Sequence, residues 1–217
     1  MKRLALIACG LMLIAPGAAQ ASDDAFEFWI NPSIGYALDD NTAIELETAQ
    51  RLRSTADGRA DTYFFRLWVS QDVSDRVTLS GAVERRINDG GRDETRTMQQ
   101  LSLKNGVLRG RFRLEQRFVS DADRMGVRLR PRVGVSVPLS SDGDWTFESN
   151  AELFITLRSN SRAGDQGLTG LRTQIAIGYD VSKQVNVSLG YLRQQDIRPN
   201  RADQIGNAPI VGIEFSF

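Results

Sequence analysis

Apolar and polar residues alternate along most of the chain, so that many short segments each have one apolar and one polar face. In the segment 63–69 the odd-numbered residues are apolar, whereas Arg66 lies on the other face. The same alternation recurs at 44–48, 77–86, 111–118, 127–137 and several later segments, and it is weakest at 97–104. A period of two is typical of β-strands, and no comparable stretch has the period of a helix. The sequence therefore predicts an all-β fold.

The connections between these segments alternate between short and long. Short turns are predicted near 39–40, 74–75, 105–106, 141–143 and 182–183, and longer polar loops near 54–60, 88–95, 119–124, 158–168 and 196–206. Bacterial outer-membrane barrels have short periplasmic turns and long outward loops, whereas a soluble periplasmic β-sandwich has no reason to sort its loops in this way. The pattern thus predicts a porin-like, transmembrane antiparallel β-barrel in the outer membrane of a Gram-negative cell.

The number of strands is less simple, because the chain contains eleven apolar runs and single-chain bacterial barrels usually have an even number of strands. The positions of the long loops imply that the first run, residues 26–38, and the last strand both descend towards the periplasm. Proline cannot donate to a strand ladder, so Asn31–Pro32 is a candidate break in the first run. Either this run contains two strands or the N-terminal segment threads the lumen. We predict about twelve strands, within the range of roughly 10–12.

The first 21 residues have the pattern of an export signal. Lys2 and Arg3 precede the apolar run Leu4–Ile14, and Ala19–Gln20–Ala21 supplies the small residues of a cleavage site. Lipoprotein processing at Cys9 is a weaker alternative, because the apolar core before it is too short. We therefore expect a signal peptide at 1–21 and a barrel at 22–217.

Composition excludes several kinds of chemistry. The chain has no histidine and one cysteine, which lies in the predicted signal peptide, so imidazole catalysis, thiolate metal sites and disulfides are not expected. The full chain has zero net charge, and loss of Lys2 and Arg3 would give about −2, which offers no argument for binding nucleic acid. We predict no cofactor and no enzymatic activity. The remaining enzymatic alternative pairs the carboxyl of Glu115 with that of Glu148 or Glu152 as acid and base.

Charged residues on the polar faces are the candidates for function. The six arginines of 111–117 and 128–132 belong to neighbouring predicted strands and would form a ladder inside the barrel if the registers match. The predicted lumen-lining charges are Arg111, Arg113, Glu115, Arg117, Arg128, Arg130, Arg132, Glu45, Glu47, Glu84, Glu148 and Glu152. They predict a narrow passage for small anionic solutes. The alternative is a barrel plugged by Arg–Glu pairs, structural or contacting lipopolysaccharide or a partner through its outward loops.

The same segments carry a family resemblance. Arg111–Phe118 followed by Arg128–Arg132 is similar to the core signature of an outer-membrane β-barrel family, catalogued as a domain of unknown function (DUF2490-like). Trp29 and the segment 45–51 also fit this family, whereas Pro131 departs from its aromatic position. The resemblance spans the chain after the signal peptide. It implies an outer-membrane location and a barrel fold, with no known activity.

The chain ends in an alternating segment with a terminal aromatic residue. Gly212, Phe215 and Phe217 resemble the signal that the outer-membrane assembly machinery reads, although Ile210 stands where a polar residue is usual. The expected partners are therefore this machinery together with outer-membrane lipid and lipopolysaccharide, and we expect a monomer.

Overall fold

The computed structural model describes residues 23–53 and 61–217, so the predicted signal peptide and most of the first long loop lie outside the described residues. The described residues form eleven strands: β1 Asp23–Ala37, β2 Thr42–Arg53, β3 Thr62–Ser74, β4 Val77–Asn88, β5 Glu94–Asn105, β6 Leu108–Val119, β7 Gly126–Pro138, β8 Trp145–Arg158, β9 Gly167–Ser182, β10 Val185–Asp196 and β11 Gln204–Ser216. Within these ranges no helix is long and apolar enough to cross a membrane.

The strands form one closed barrel in which each strand pairs with the next along the chain in antiparallel fashion. The predicted all-β barrel of about twelve strands is confirmed, with eleven strands in the described residues. An odd number closes because β1 and β11 run in the same direction and form a parallel pair, from Asp23 opposite Gln204 to Gly35 opposite Ser216. Two backbone hydrogen bonds extend this seam, since Phe217 N donates to Gly35 O at 3.0 Å and Ala37 N donates to Phe217 O at 2.8 Å.

The expected break at Asn31–Pro32 is wrong, because β1 continues through both residues as one strand. These two residues do not pair with β2. Pairing stops after Ile30, which lies opposite Gln50, and resumes in the same register at Ser33, which lies opposite Glu47. A proline removes a ladder donor without forcing the strand to end, so the missing bonds are confined to that position. Residues 23–37 belong to the wall and do not thread the lumen.

The connections sort to the two ends of the barrel. One end, here called the short-turn end, carries 38–41, 75–76, 106–107, 139–144 and 183–184, and the opposite long-loop end carries the described connections 89–93, 120–125, 159–166 and 197–203. Gly106 adopts a φ of 57°, a conformation that favours glycine, and this lets the chain reverse between β5 and β6. The predicted alternation is present, although the connection 139–144 is longer than the other short turns.

Apolar side chains cover the outside of the barrel and charged side chains fill the inside. On β3 and β4, Leu67 and Val83 are exposed on the outer face, whereas Arg66 and Glu84 are buried on the inner face. Near the short-turn end, Trp145 and Tyr179 pair across β8 and β9 on the outside, with ring centroids 4.6 Å apart. Soluble proteins show the opposite arrangement, whereas an apolar outside and a polar inside are typical of outer-membrane barrels.

Candidate functional site

Buried glutamates organise the inside of the barrel, and Glu84, which is 0% exposed, is the first of them. Strand register places Glu47, Arg66, Glu84 and Arg96 directly opposite one another across β2 to β5, so that negative and positive charges alternate along the row. Arg66 Nε donates to Glu84 Oε2 at 2.8 Å and Arg66 Nη1 to Glu47 Oε2 at 2.6 Å. Arg86 Nη2 adds a bond to Glu84 Oε1 at 3.0 Å. Arg66 and Arg86 thus balance the negative charge of the buried Glu84 carboxylate.

Arg130 joins the other two deeply buried glutamates. Its Nη1 lies 2.5 Å from Glu115 Oε1 and its Nη2 lies 2.7 Å from Glu152 Oε2. Arg128 holds the second oxygen of Glu115 at 2.7 Å, and Arg111 holds the second oxygen of Glu152. Since a guanidinium bridges Glu115 and Glu152, these carboxylates balance charge, and the geometry does not favour the acid–base pair considered above.

Further ion pairs continue towards the long-loop end. Glu94 binds Arg96 at 2.6 Å and Arg117 at 2.5 Å. Glu27 binds Arg53 at 3.1 Å and accepts the indole N–H of Trp29 at 2.7 Å. Together with the ion pairs of Glu84, Glu115 and Glu152, these pairs occupy the inside of the barrel beside β1 to β8.

Aromatic rings lie inside the barrel among the arginines. The guanidinium carbon of Arg51 lies 3.8 Å from the ring centroid of Trp29, and that of Arg113 lies 4.8 Å from the ring centroid of Trp68. Cation–π contact partly replaces the water that a buried guanidinium loses. Phe64 and Phe154 each contact more than one arginine in the same way.

Three arginines in the middle of the lumen have no carboxylate partner among the described residues: Arg51, Arg113 and Arg132. Register places Arg111 opposite Arg132 and Arg113 opposite Arg130, so like charges face each other across β6 and β7. Arg113 is 6% exposed, and its Nε donates to Gln100 Oε1 at 2.8 Å. The charge network therefore leaves a local positive excess.

This excess borders a central cavity of about 180 Å³. Its lining includes eight arginines and only two glutamates: Arg51, Arg66, Arg86, Arg111, Arg113, Arg130, Arg132, Arg172, Glu47 and Glu152. Both glutamates are already bound to arginine. The cavity thus presents guanidinium groups from several strands to one small space.

Further cavities lie on either side of the central one. Towards the short-turn end, a cavity of about 170 Å³ shares Asn31, Gln174 and Ile210 with it, and in turn shares lining residues with a mouth cavity of about 530 Å³. Towards the long-loop end, a space of about 50 Å³ shares Trp29, Arg51 and Leu192 with the central cavity. The cavities form a series along the barrel, and the smallest of them lies beside Trp29 and Arg51.

Side-chain size explains why the cavities next to the central one lie beside β9 to β11. The inward positions of these strands include many small residues, among them Ala176, Gly178, Gly190, Ala208 and Gly212, whereas inward positions of β2 to β8 carry long arginines, glutamates and aromatic rings. A wall of small residues leaves space, and a wall of long side chains fills it. A further cavity of about 240 Å³ lies near the short-turn end beside β4 to β8 and shares Arg132 and Asn150 with the central cavity.

Comparison with known proteins agrees with this architecture. The model of the family described as "Protein of unknown function (DUF2490)" matches residues 26–205. The chain belongs to this family. An uncharacterized protein of Methylorubrum extorquens is 27% identical over 201 residues, covering 87% of each chain. The solved NanC porin has the same fold, with a TM-score of 0.59, 11% identity, and coverage of 88% of this chain and 98% of that one.

In this member of the DUF2490 family, all twelve predicted lumen-lining charges lie on inward-facing strand positions, but at different depths. Arg111, Arg113, Glu115, Arg130, Glu84 and Glu152 are buried, Arg117, Arg128, Arg132, Glu45 and Glu47 are half-buried, and Glu148 is exposed at the short-turn end. Sequence reasoning missed Glu94 and Arg96, because the weak alternation at 97–104 hid the start of β5. It also missed the inward aromatic rings, although Phe64 and Trp68 share the parity of Arg66.

The residues of the predicted assembly signal lie on β11 and beside it. Phe215 and Phe217 are exposed on the apolar exterior, whereas Gly212 faces inward. A Cβ at Gly212 would lie 2.5 Å from Ser188 Oγ, so this glycine permits close approach of β10. The three positions therefore also have structural roles in the closing seam.

Proposed function

We propose that this protein is an outer-membrane, porin-like barrel that provides a narrow passage for small anionic solutes. The observation that carries the proposal is the series of adjoining cavities that begins at the short-turn mouth and whose centre is lined by eight arginines and two glutamates. Rings of basic side chains in a narrow lumen favour anions, because the local potential raises their concentration and opposes cations. The porin fold of the barrel supports the same conclusion.

The apolar exterior supports the outer-membrane location that we propose. A barrel with an apolar outer surface needs lipid around it, and the short turns of bacterial outer-membrane barrels face the periplasm. We therefore propose that the short-turn end faces the periplasm and the long-loop end faces the outside of the cell, with lipopolysaccharide around the outer rim. In this orientation the small cavity beside Trp29 and Arg51 lies towards the outside of the cell.

Conductance of the reconstituted barrel in a planar bilayer tests the passage. Ala176 is buried, lies on the wall of small residues and lines the cavity next to the central one. We expect an ohmic current with a reversal potential that favours chloride over potassium in the wild type, and a strongly reduced current in Ala176→Trp. Ile177→Trp is the matched control, because Ile177 faces outward on the same strand. A cation-selective current, or the same current in Ala176→Trp as in the wild type, would refute the passage.

A second candidate is a plugged structural barrel that contacts lipopolysaccharide or a partner through its long loops. The specific observation in its favour is the dense ion-pair network around Glu84, Glu115 and Glu152. This candidate predicts no current above background for the wild type, together with loss of lipopolysaccharide binding when loops 89–93 and 159–166 are both shortened. Unchanged binding after both changes would reject it.

A further inference from the structure

We infer that the central cavity is a binding site for a compact oxyanion with at least two negative charges, held by Arg51, Arg113 and Arg132. The inference rests on the proposed function, because the same cavity is the middle of the passage. It goes further in assigning a ligand class and the residues that bind it.

Charge balance singles out these three arginines. The five other arginines of the cavity each contact a glutamate: Arg66, Arg86, Arg111, Arg130 and Arg172. Across the part of the chain that the structure describes, Arg51, Arg113 and Arg132 have no such contact. A guanidinium removed from water without an anion is unfavourable, so a bound anion would stabilise this arrangement.

Hydrogen-bond donors of the same three residues remain unused. The Nε of Arg51 is buried and has no acceptor, although its guanidinium lies over Trp29. Arg113 uses only its Nε, towards Gln100, and neither Nη group donates to a described residue. For Arg132, likewise, no acceptor is found in residues 23–53 and 61–217. The cavity therefore combines positive charge with free donors.

The geometry of guanidinium favours oxyanions over chloride. Its planar fork makes two parallel hydrogen bonds to carboxylate or phosphate oxygens, and bonds of this kind are stronger than those between neutral groups. Arg51, Arg113 and Arg132 come from β2, β6 and β7, so they approach the cavity from different parts of the wall. A ligand that accepts hydrogen bonds from all three guanidinium groups needs several oxygen atoms. An anion with two or more negative charges balances their positive charge better than an anion with one.

The size of the cavity sets an upper limit. Water occupies about 30 Å³ per molecule in the liquid. A volume of about 180 Å³ therefore accommodates a tetrahedral oxyanion with part of its hydration, and it is too small for an extended polyanion. Glu47 and Glu152 line the cavity, but they form their ion pairs with Arg66 and Arg130 at 2.6 and 2.7 Å. They therefore do not pair with Arg51, Arg113 or Arg132.

Binding of inorganic phosphate to the purified, detergent-solubilised barrel tests the inference. Titration calorimetry at pH 8 and constant ionic strength should detect phosphate binding in the wild type and in Arg85→Gln, whose arginine is exposed on the outer face. We expect Arg113→Gln and Arg51→Gln each to weaken binding about tenfold or more, with partial recovery in Arg113→Lys, which keeps the charge. Binding that is equal in Arg113→Gln and Arg85→Gln would overturn the inference.

Current measurements separate failure of the site from failure of the passage. Phosphate should reduce the chloride current of the wild type in a saturable way, and less so in Arg113→Gln. A chloride current together with no phosphate binding would overturn the site and leave the passage intact. Phosphate binding without any current would support the site and refute the passage. Circular dichroism of each variant establishes that the barrel has folded before binding is compared.

Discussion

Arg113 lies directly opposite Arg130 across β6 and β7, yet only Arg130 is bound to carboxylates. Two like charges in this position repel each other, and the two side chains resolve the conflict differently. Arg130 lies between Glu115 and Glu152, whereas Arg113 turns towards Gln100 and the ring of Trp68. The positive excess of the lumen is therefore concentrated beside a network that is otherwise balanced.

Loss of Arg130 should destabilise the barrel far more than loss of Arg132, which lies two residues away on β7 and has no carboxylate partner among the described residues. Arg130→Met leaves Glu115 and Glu152, which are 0% and 2% exposed, without their shared partner. Removing one member of a buried ion pair costs about 3–5 kcal/mol. We expect a loss near the lower end of this range, because Arg128 still binds Glu115 and Arg111 still binds Glu152. Arg132→Met is the control, and we expect its free energy of unfolding to lie within about 1 kcal/mol of the wild type. Urea unfolding in lipid vesicles measures both, and equal losses would contradict the assigned network.

Close strand packing predicts different outcomes for two glycines. A Cβ at Gly190 would lie 2.6 Å from the backbone oxygen of Ile175, whereas a Cβ at Gly81 would have its nearest neighbour, Met98 O, at 3.9 Å. Gly190→Ala should therefore reduce the free energy of unfolding by roughly 1–3 kcal/mol through overpacking. Gly81→Ala should be neutral or stabilising by up to about 1 kcal/mol, since alanine lowers the entropy of the unfolded chain. If Gly81→Ala were more destabilising than Gly190→Ala, β9 to β11 would be able to move apart and accommodate the added Cβ.

A polar pair on the exterior provides a test of the lipid-facing surface. Gln116 Nε2 donates to Gln99 Oε1 at 2.9 Å, and both side chains lie on the outward face of β5 and β6. Gln116→Leu should destabilise the barrel by about 1–2 kcal/mol, because Gln99 then faces lipid without its partner. The double change to leucine should restore or exceed wild-type stability in vesicles. If the double variant lost as much stability as the two single variants added together, this face would not contact lipid.

The same pair explains one limit of sequence reasoning. Alternation of apolar and polar residues predicted the barrel and the inward charges, because an apolar outside and a charged inside impose a period of two. The positions of the long loops predicted that the first and last strands run in the same direction. β5 was the weakest segment, since Thr97 and Gln99 occupy outward positions and bond to Gln116 instead of being apolar. Pro32 indicated a break that the structure lacks, because parallel closure with β11 supports β1.

Ion-pair partners could not be predicted from parity alone. A period of two assigns Glu84 and Arg130 to the inside, but the contacts also depend on register across several strands. The cavities beside β9 to β11 follow from the small residues of those strands, a pattern visible in the sequence only once the strand order is known. Rotamer choice then decides that Arg130 binds two glutamates while Arg113 binds none.

Phe217 should matter to assembly in cells more than to stability. Its backbone bonds to Gly35 and Ala37 extend the seam, whereas its ring is exposed on the exterior, so Phe217→Ala removes the ring and keeps both bonds. We expect the amount of folded barrel in membranes to fall severalfold, because the assembly machinery loses the terminal aromatic ring that we propose it reads. Refolding of purified protein into vesicles should be almost unchanged. Phe112→Ala, which removes an exposed ring from β6, is the control and should assemble normally in cells. Equal assembly of the two variants, or an equal refolding defect in vitro, would mean that the ring of Phe217 acts through packing alone.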